Sequence, residues 1–230
     1  MKLLNYVNES ANRMQLDLMT VGPFSEVRES TMQGYNSLDK FSLILRCHVG
    51  HHSGVGSFTL LSDANVGNYV SIASRVSIGA FNHPRNWLSV NEFQYKDTTR
   101  IWGVSYPWID QHEPKLQRLR TTIGSDVWIC DNAVVVAGSN IGVGCIIAAG
   151  AVAKGNYPPY SVLAGVPAKV KTKRFEEKII ERLLKSEWWT LNPEQIHSLS
   201  MGRIDFSDVE GFLSLIEAAS SVKKSSPKEI

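Results

Sequence analysis

Six histidines, at positions 48, 51, 52, 83, 112 and 197, are the side chains of this 230-residue sequence best suited to move a proton near neutral pH. His83 stands apart by its position. It sits in the stretch FNHP, where a regular six-residue pattern gives way to a segment dense in aromatic residues. An imidazole placed there can take a proton from an attacking hydroxyl or amine, with a backbone N–H from a neighbouring turn holding the oxyanion that forms. His48, His51 and His52 cluster, which suggests a metal, but His48 to His52 is a spacing of four, where a pair five apart and a more distant third ligand would be needed. No metal is expected. His112, in DQHEPK, and His197, in a helical stretch near the end, read as surface or packing histidines.

The elements that must position His83 are written in a repeat. Every sixth residue from Ile123 is aliphatic (Ile123, Ile129, Val135, Ile141, Ile147), and four places after each stands a smaller one: Val127, Ala133, Ser139, Cys145 and Ala151. An earlier block keeps the rule, with Leu60, Val66, Ile72 and Ile78 in the aliphatic position and Ala64, Val70 and Val76 in the second. A helix repeats near 3.6 residues and a strand at two, so a period of six fits neither alone. It fits a coil of three short flat faces, about 18 residues per turn, each face sending one large and one small residue inward. Gly67, Asn68, Gly124, Asp126, Asp131, Asn132, Gly142 and Gly144 suit its corners. Upstream, Val21 and Val27 keep the spacing but Gln33 breaks it, so residues 1–50 read as irregular early coils. Val55 is out of phase with Val66, which points to one residue lost or bulged between them.

Residues 81–120 lose the repeat and carry Phe81, Trp87, Phe93, Tyr95, Trp102, Tyr106 and Trp108. A long excursion with that many rings reads as an ordered loop over a pocket. After Pro158 and Pro159 the coil ends at SVLAGVPAKVKTKRF, and Ile179, Ile180, Leu183, Leu184 and Trp188 mark one apolar helical face. Asn192 before Pro193 starts a second helix, and Ser207 with Glu210 has capping-box spacing for a last one. These helices are expected to cover the open end of the coil. The reading is therefore a mainly β domain over 1–172, with a loop insertion at about 81–120, and a helical extension over 173–230.

Composition narrows the partners. A formal net charge of +2 with no clustering gives nucleic acid no basic face. No apolar run approaches the roughly 20 residues that span a bilayer. The start, MKLLNYVNES, turns polar at Asn5, too early for a secretory signal. Cys47, Cys130 and Cys145 are odd in number and lie in hydrophobic stretches, so they read as buried free thiols suited to a reducing cytoplasm.

FNHP followed by an aromatic insertion, then TTIGSDVWICDNAVVVAGSNIGVGCIIAAGAV, SVLAGVPAKVKTKRF and RLLKSEWW, resembles the xenobiotic acetyltransferase branch of the hexapeptide acyltransferases. The likeness runs from about residue 55 to 200. It implies a left-handed parallel β-helix, a homotrimer with each active site between two chains, acetyl-coenzyme A as donor, and a catalytic histidine in an Asn-His pair, here Asn82 and His83. By the same resemblance Trp128, Gly138, Ala148, Ala149 and Gly150 line the path of the coenzyme. Pro167, Ala168, Lys169, Lys171, Lys173 and Arg174 lie near its nucleotide end. Trp87, Phe93, Tyr95, Trp102 and Trp108 are candidates, with Asn82, for an acceptor pocket.

The branch includes chloramphenicol and streptogramin O-acetyltransferases and many sugar acetyltransferases. The drug-modifying members continue after the histidine with Ser-Thr-x-Pro-Phe, whereas this chain reads NWLSVNEFQY. That departure favours a sugar acceptor, a nucleotide sugar or a surface polysaccharide unit. An antibiotic acceptor, or a non-catalytic hexapeptide scaffold, are the alternatives.

Overall fold

The computed structural model describes residues 18–80, 83–109, 119–199 and 205–225. Asn82, Phe81 and His112 lie outside them. Short strands run from β1 (Met19–Val21) to β20 (Lys169–Lys173), and along the solenoid each pairs with the strand three places on. The result is three sheets, of eight, six and six strands, parallel throughout except for β20, wound as a three-sided solenoid. Its inside is three columns of aliphatic side chains. Val27, Ile44, Leu61, Ile78, Val135 and Ala153 form one. Leu38, Val55, Ile72, Ile129, Ile147 and Leu163 form the second. Met32, Val49, Val66, Ile123 and Ile141 form the third. All are buried, as are Val127, Ala133, Ser139, Cys145 and Ala151 in the second inward position.

The early coils depart from the sequence reading. From residue 18 onward they are regular rather than irregular, and they close in 17 residues, as the step from Val27 to Ile44 to Leu61 to Ile78 shows. One face takes five residues instead of six, from Ile44 to Val49 and again from Leu61 to Val66. Met32, not Gln33, therefore follows Val27, and Leu61, not Leu60, points into the core. The residue missing between Val55 and Val66 is one instance of this recurring short step.

Hydroxyls stand where later coils put aliphatics. Ser25 Oγ donates to the Asp39 carbonyl (2.6 Å) and accepts from Ser42 N (2.9 Å). Ser42 Oγ repeats this with Gly56 O (2.8 Å) and Thr59 N (3.0 Å), and Thr59 Oγ1 with Ala73 O (3.0 Å) and Val76 N (3.2 Å). Each buried hydroxyl thus both gives and receives a bond, which removes the penalty for burying it.

The corners are equally unexpected, because bulky residues adopt the left-handed conformation there. Phe24, Phe41 and Phe58 have φ of 61°, 58° and 58°, and Tyr35, His52 and Tyr69 have 51°, 55° and 57°. That conformation costs about 1–2 kcal/mol per residue. Ring stacking offsets part of it: centroids are 4.9 and 5.0 Å apart along the phenylalanines, and 4.6 and 5.1 Å along Tyr35, His52 and Tyr69.

At the far end β19 (Ser161–Ala164) turns back into β20, an antiparallel hairpin that finishes the solenoid. Helices follow as α1 (Thr99–Trp102) within the insertion, then α2 (Glu177–Ser186), α3 (Pro193–Leu199) and α4 (Val209–Ser225). The last three do not sit over the open end. They lie along one edge, where Ile180, Leu183 and Leu213 pack with Tyr160, Asn68 Nδ2 donates to Trp189 O (3.0 Å) and Tyr69 Oη to Leu191 O (2.6 Å). Asn192 and Gln195 cap α3 reciprocally at 2.8 Å. The last helix is capped by Asp208, which accepts from Gly211 N (2.9 Å), whereas Ser207 bonds Asp205. Among the described residues no helix is long and apolar enough to cross a membrane.

Candidate active site

The chain leaves the solenoid after β11 (Ser77–Ile78) and rejoins it at β12 (Thr121–Ile123). Gly79 makes the exit possible: its φ is 70°, and a Cβ there would lie 1.9 Å from Ser62 O. Arg120 secures the return by donating to Arg46 O (3.2 Å) and Asn65 Oδ1 (3.1 Å). Arg46 in turn grips Asp63 through Nε (2.7 Å) and Nη2 (2.6 Å). His83 thus follows closely on a fixed corner.

The imidazole is exposed, with its Nδ1 3.3 Å from the Tyr95 hydroxyl. Trp87 meets the Tyr95 ring edge-on, at 5.9 Å and 88°. Burial, and then the Glu92 carboxylate, hold the Tyr95 phenol above its usual pKa, so it stays neutral. A second group joins Phe93, Tyr106 and Trp108: Tyr106 stacks on Trp108 at 4.8 Å, Phe93 lies edge-on to Tyr106, and Trp108 Nε1 donates to Phe93 O (3.2 Å). Local bonds stiffen the segment. Asn91 Oδ1 accepts from Phe93 N (3.0 Å), and the buried Thr98 donates to Val104 O (2.6 Å). Of the expected acceptor residues, Trp87 and Tyr95 are therefore gathered at His83, and Phe93 and Trp108 form the neighbouring cluster around Tyr106. Trp102 stands exposed on α1, and Asn82 falls outside the described residues.

The residues expected along the coenzyme lie on more than one part of the prism. Trp128 points outward from a sheet face between Ser71 and Ile146, half exposed. Gly138 shares the edge of the insertion, its N–H donating to Thr121 Oγ1 (3.2 Å). Ala148, Ala149 and Gly150 form a different corner, over Asp131, and nothing crowds Gly150. Lys169 and Lys171 are exposed on β20 and Pro167 is exposed just before it, while Ala168 is buried.

Lys173 and Arg174 already have partners in the protein. Lys173 Nζ donates to Pro159 O (2.8 Å). Arg174 donates to Asp126 Oδ2 and Gly144 O, both at 2.8 Å, and lies over the rings of Tyr160 and Phe175. Arg174 lines a cavity of about 210 Å³ beneath the helices, together with Asp126, Tyr160 and Trp188. The sequence resemblance puts both cations near a phosphate; the carbonyls and carboxylate that engage them come from successive turns along one edge of the prism.

His51 and His52 face each other with Nδ1 atoms 2.8 Å apart, and His48 Nε2 lies 3.1 Å from Gln33 Nε2. Among the described residues no three His, Cys, Asp or Glu side chains converge as metal ligands would. Burial, and secondly the charge on His52, lower the pKa of His51. Between the unfolded value of about 6.5 and that lower folded value the unfolded chain binds more protons, so stability is full above pH 6.5 and falls on acidification. We expect melting temperature to drop as pH falls below about 6.5, and the slope to flatten in His51→Gln. Cys47 and Cys145 are buried free thiols, Cys47 pushed up to about 11 by burial, whereas Cys130 is partly exposed.

The described residues form a three-sided solenoid interrupted by one aromatic loop, with His83 at its root. No model of a protein family matches the chain. It is 34% identical over 137 residues to a protein named as a probable macrolide acetyltransferase from Lysinibacillus sphaericus, spanning 57% of this chain and 71% of the relative. To a chloramphenicol acetyltransferase from Escherichia coli it is 34% identical over 134 residues, spanning 57% of this chain and 61% of that one. A protein of Escherichia coli strain K12 named for a lipopolysaccharide biosynthesis O-acetyl transferase is 32% identical over 123 residues, spanning 53% and 57%. Among solved structures, a point mutant of AntD, an N-acyltransferase from Bacillus cereus in complex with dTDP and coenzyme A, superposes with a TM-score of 0.55 at 15% identity, over 78% of this chain and 96% of AntD. The chain belongs to the hexapeptide-repeat acetyltransferases, in the branch that holds the chloramphenicol and macrolide enzymes.

Proposed function

We propose that this protein moves an acetyl group from acetyl-coenzyme A to a hydroxyl or amine of a sugar, with His83 as general base. The observation that carries the proposal is an exposed imidazole at the root of the insertion, beside the paired rings of Trp87 and Tyr95. In the reaction the acceptor oxygen or nitrogen bonds to the thioester carbonyl carbon while His83 takes its proton. The C–S bond then breaks, and the proton passes to the departing thiolate to give free coenzyme A. Support for a sugar comes from NWLSVNEFQY after the histidine, where drug-modifying members carry Ser-Thr-x-Pro-Phe, and from the lipopolysaccharide relative. The macrolide and chloramphenicol relatives favour the second reading, an antibiotic acceptor.

The protein works as a homotrimer with its sites between chains. His83 and Ala148–Gly150 occupy different edges of the prism, so a donor groove that touches both is completed by the edge of a second chain. Free thiols at Cys47 and Cys145 suit the cytoplasm. The test is thiol release from acetyl-coenzyme A across nucleotide sugars, oligosaccharides and chloramphenicol. Turnover with a sugar at least tenfold above that with chloramphenicol is expected; turnover with the drug alone replaces the sugar by the antibiotic reading.

A further inference from the structure

We infer that Tyr95 is the positioning residue for His83, holding the imidazole by Nδ1 so that Nε2 is the nitrogen presented to the acceptor; this rests on His83 being the base. An exposed imidazole turns freely about its two side-chain torsions. A base has to present one nitrogen at a fixed point, and an error of about 1 Å can lose two orders of magnitude in rate.

Among the described residues the Tyr95 hydroxyl, 3.3 Å from Nδ1, is the hydrogen-bond partner of the His83 ring. Tyr95 is well placed to act as an anchor. Its backbone N–H donates to Glu92 O (3.0 Å) at the end of the turn Glu92–Gln94, which Asn91 caps. Trp87 closes the side of its ring at 5.9 Å. Gln94 ties the same turn to Ser89, whose N–H donates to Gln94 Oε1 (3.2 Å). The chain therefore loops out from His83, fixes Trp87, turns, and returns a hydroxyl to the imidazole twelve residues later.

The proton inventory assigns the roles. When Nε2 takes the acceptor proton, both ring nitrogens carry hydrogen, and Nδ1–H can only donate. The Tyr95 oxygen is then the acceptor, and it stabilises the imidazolium that exists while the new bond forms. In the resting enzyme the same geometry with Nδ1–H donating leaves the lone pair on Nε2, where it is needed. A phenol is neutral, so this anchor orients the ring and supports its charge without the stronger pull of a carboxylate.

The experiment compares Tyr95→Phe, His83→Ala and the double variant, using acetyl-coenzyme A and the best acceptor from the panel. In Tyr95→Phe, kcat falls about tenfold or more, KM for both substrates stays within about twofold, and the acid limb of the kcat/KM profile moves to lower pH, because the imidazolium has lost its acceptor. The double variant is no slower than His83→Ala, since Tyr95 acts through the histidine. An unchanged kcat and pH profile in Tyr95→Phe overturns the inference, as does a raised acceptor KM with intact kcat, which would make Tyr95 a binding contact. Full activity in His83→Ala removes the underlying reading instead, whatever Tyr95→Phe does.

Discussion

Replacing His83 by alanine lowers kcat by about two to four orders of magnitude, the range a positioned general base supplies. Expressed as barrier height this is roughly 3–5.5 kcal/mol. The loss should appear in kcat and kcat/KM alike, with KM for acetyl-coenzyme A little changed, because the imidazole acts on the acceptor proton rather than on the donor's nucleotide. Folding should be intact, since His83 is exposed and its side-chain hydrogen bond among the described residues is to Tyr95. The measurement is steady-state turnover beside a melting curve. A loss smaller than tenfold, with the melting curve unchanged, would take the role of base away from His83.

The second large effect concerns the phase of the coil. Leu61 is fully buried between Ile44 and Ile78, so Leu61→Ala should cost about 2–5 kcal/mol through lost contacts and the cavity left behind. Leu60, one residue earlier, faces outward and is only partly covered, and Leu60→Ala should cost about 1 kcal/mol or less. For a chain of this size that separates the melting points by several degrees. Equal losses at the two positions would mean that the early coils are not wound in the register described.

The contrast between those neighbours shows where the sequence is legible. From Ile123 to Ala151 both inward positions are filled by aliphatic or small residues, and each face takes six residues, so the period is plain and the predicted core is the observed core. In the early coils the large inward residues are still aliphatic, but Ser25, Ser42, Ser53 and Thr59 occupy the second position. A scale that counts serine as polar cannot see that its hydroxyl is satisfied from the coils beside it. The five-residue face shifts the phase once per turn and hides the remainder.

The candidate site divides in the same way. His83 can be picked out because it marks the break in a repeat, a property of the sequence itself. The pairing of Tyr95 with it, and of Trp108 with Tyr106 and Phe93, depends on how the loop folds back, for which the sequence carries no period. Lys173 and Arg174 show a related limit. Their charges are visible in the sequence, but the Pro159 carbonyl and the Asp126 carboxylate that engage them reach them only through the winding of the chain.

The coil closes in 17 residues and carries its continuous hydroxyl ladder on the N-terminal side of the insertion; beyond it the turns lengthen to 18 and are filled mostly with aliphatics. The insertion therefore marks a seam between two building materials, one fastened by directional bonds and the other by contact area. Because each turn of a solenoid leans only on its neighbours, the two halves should let go separately. Amide exchange should show the serine-lined turns opening as one block and the isoleucine-lined turns as another, with the histidine rooted at the joint between them.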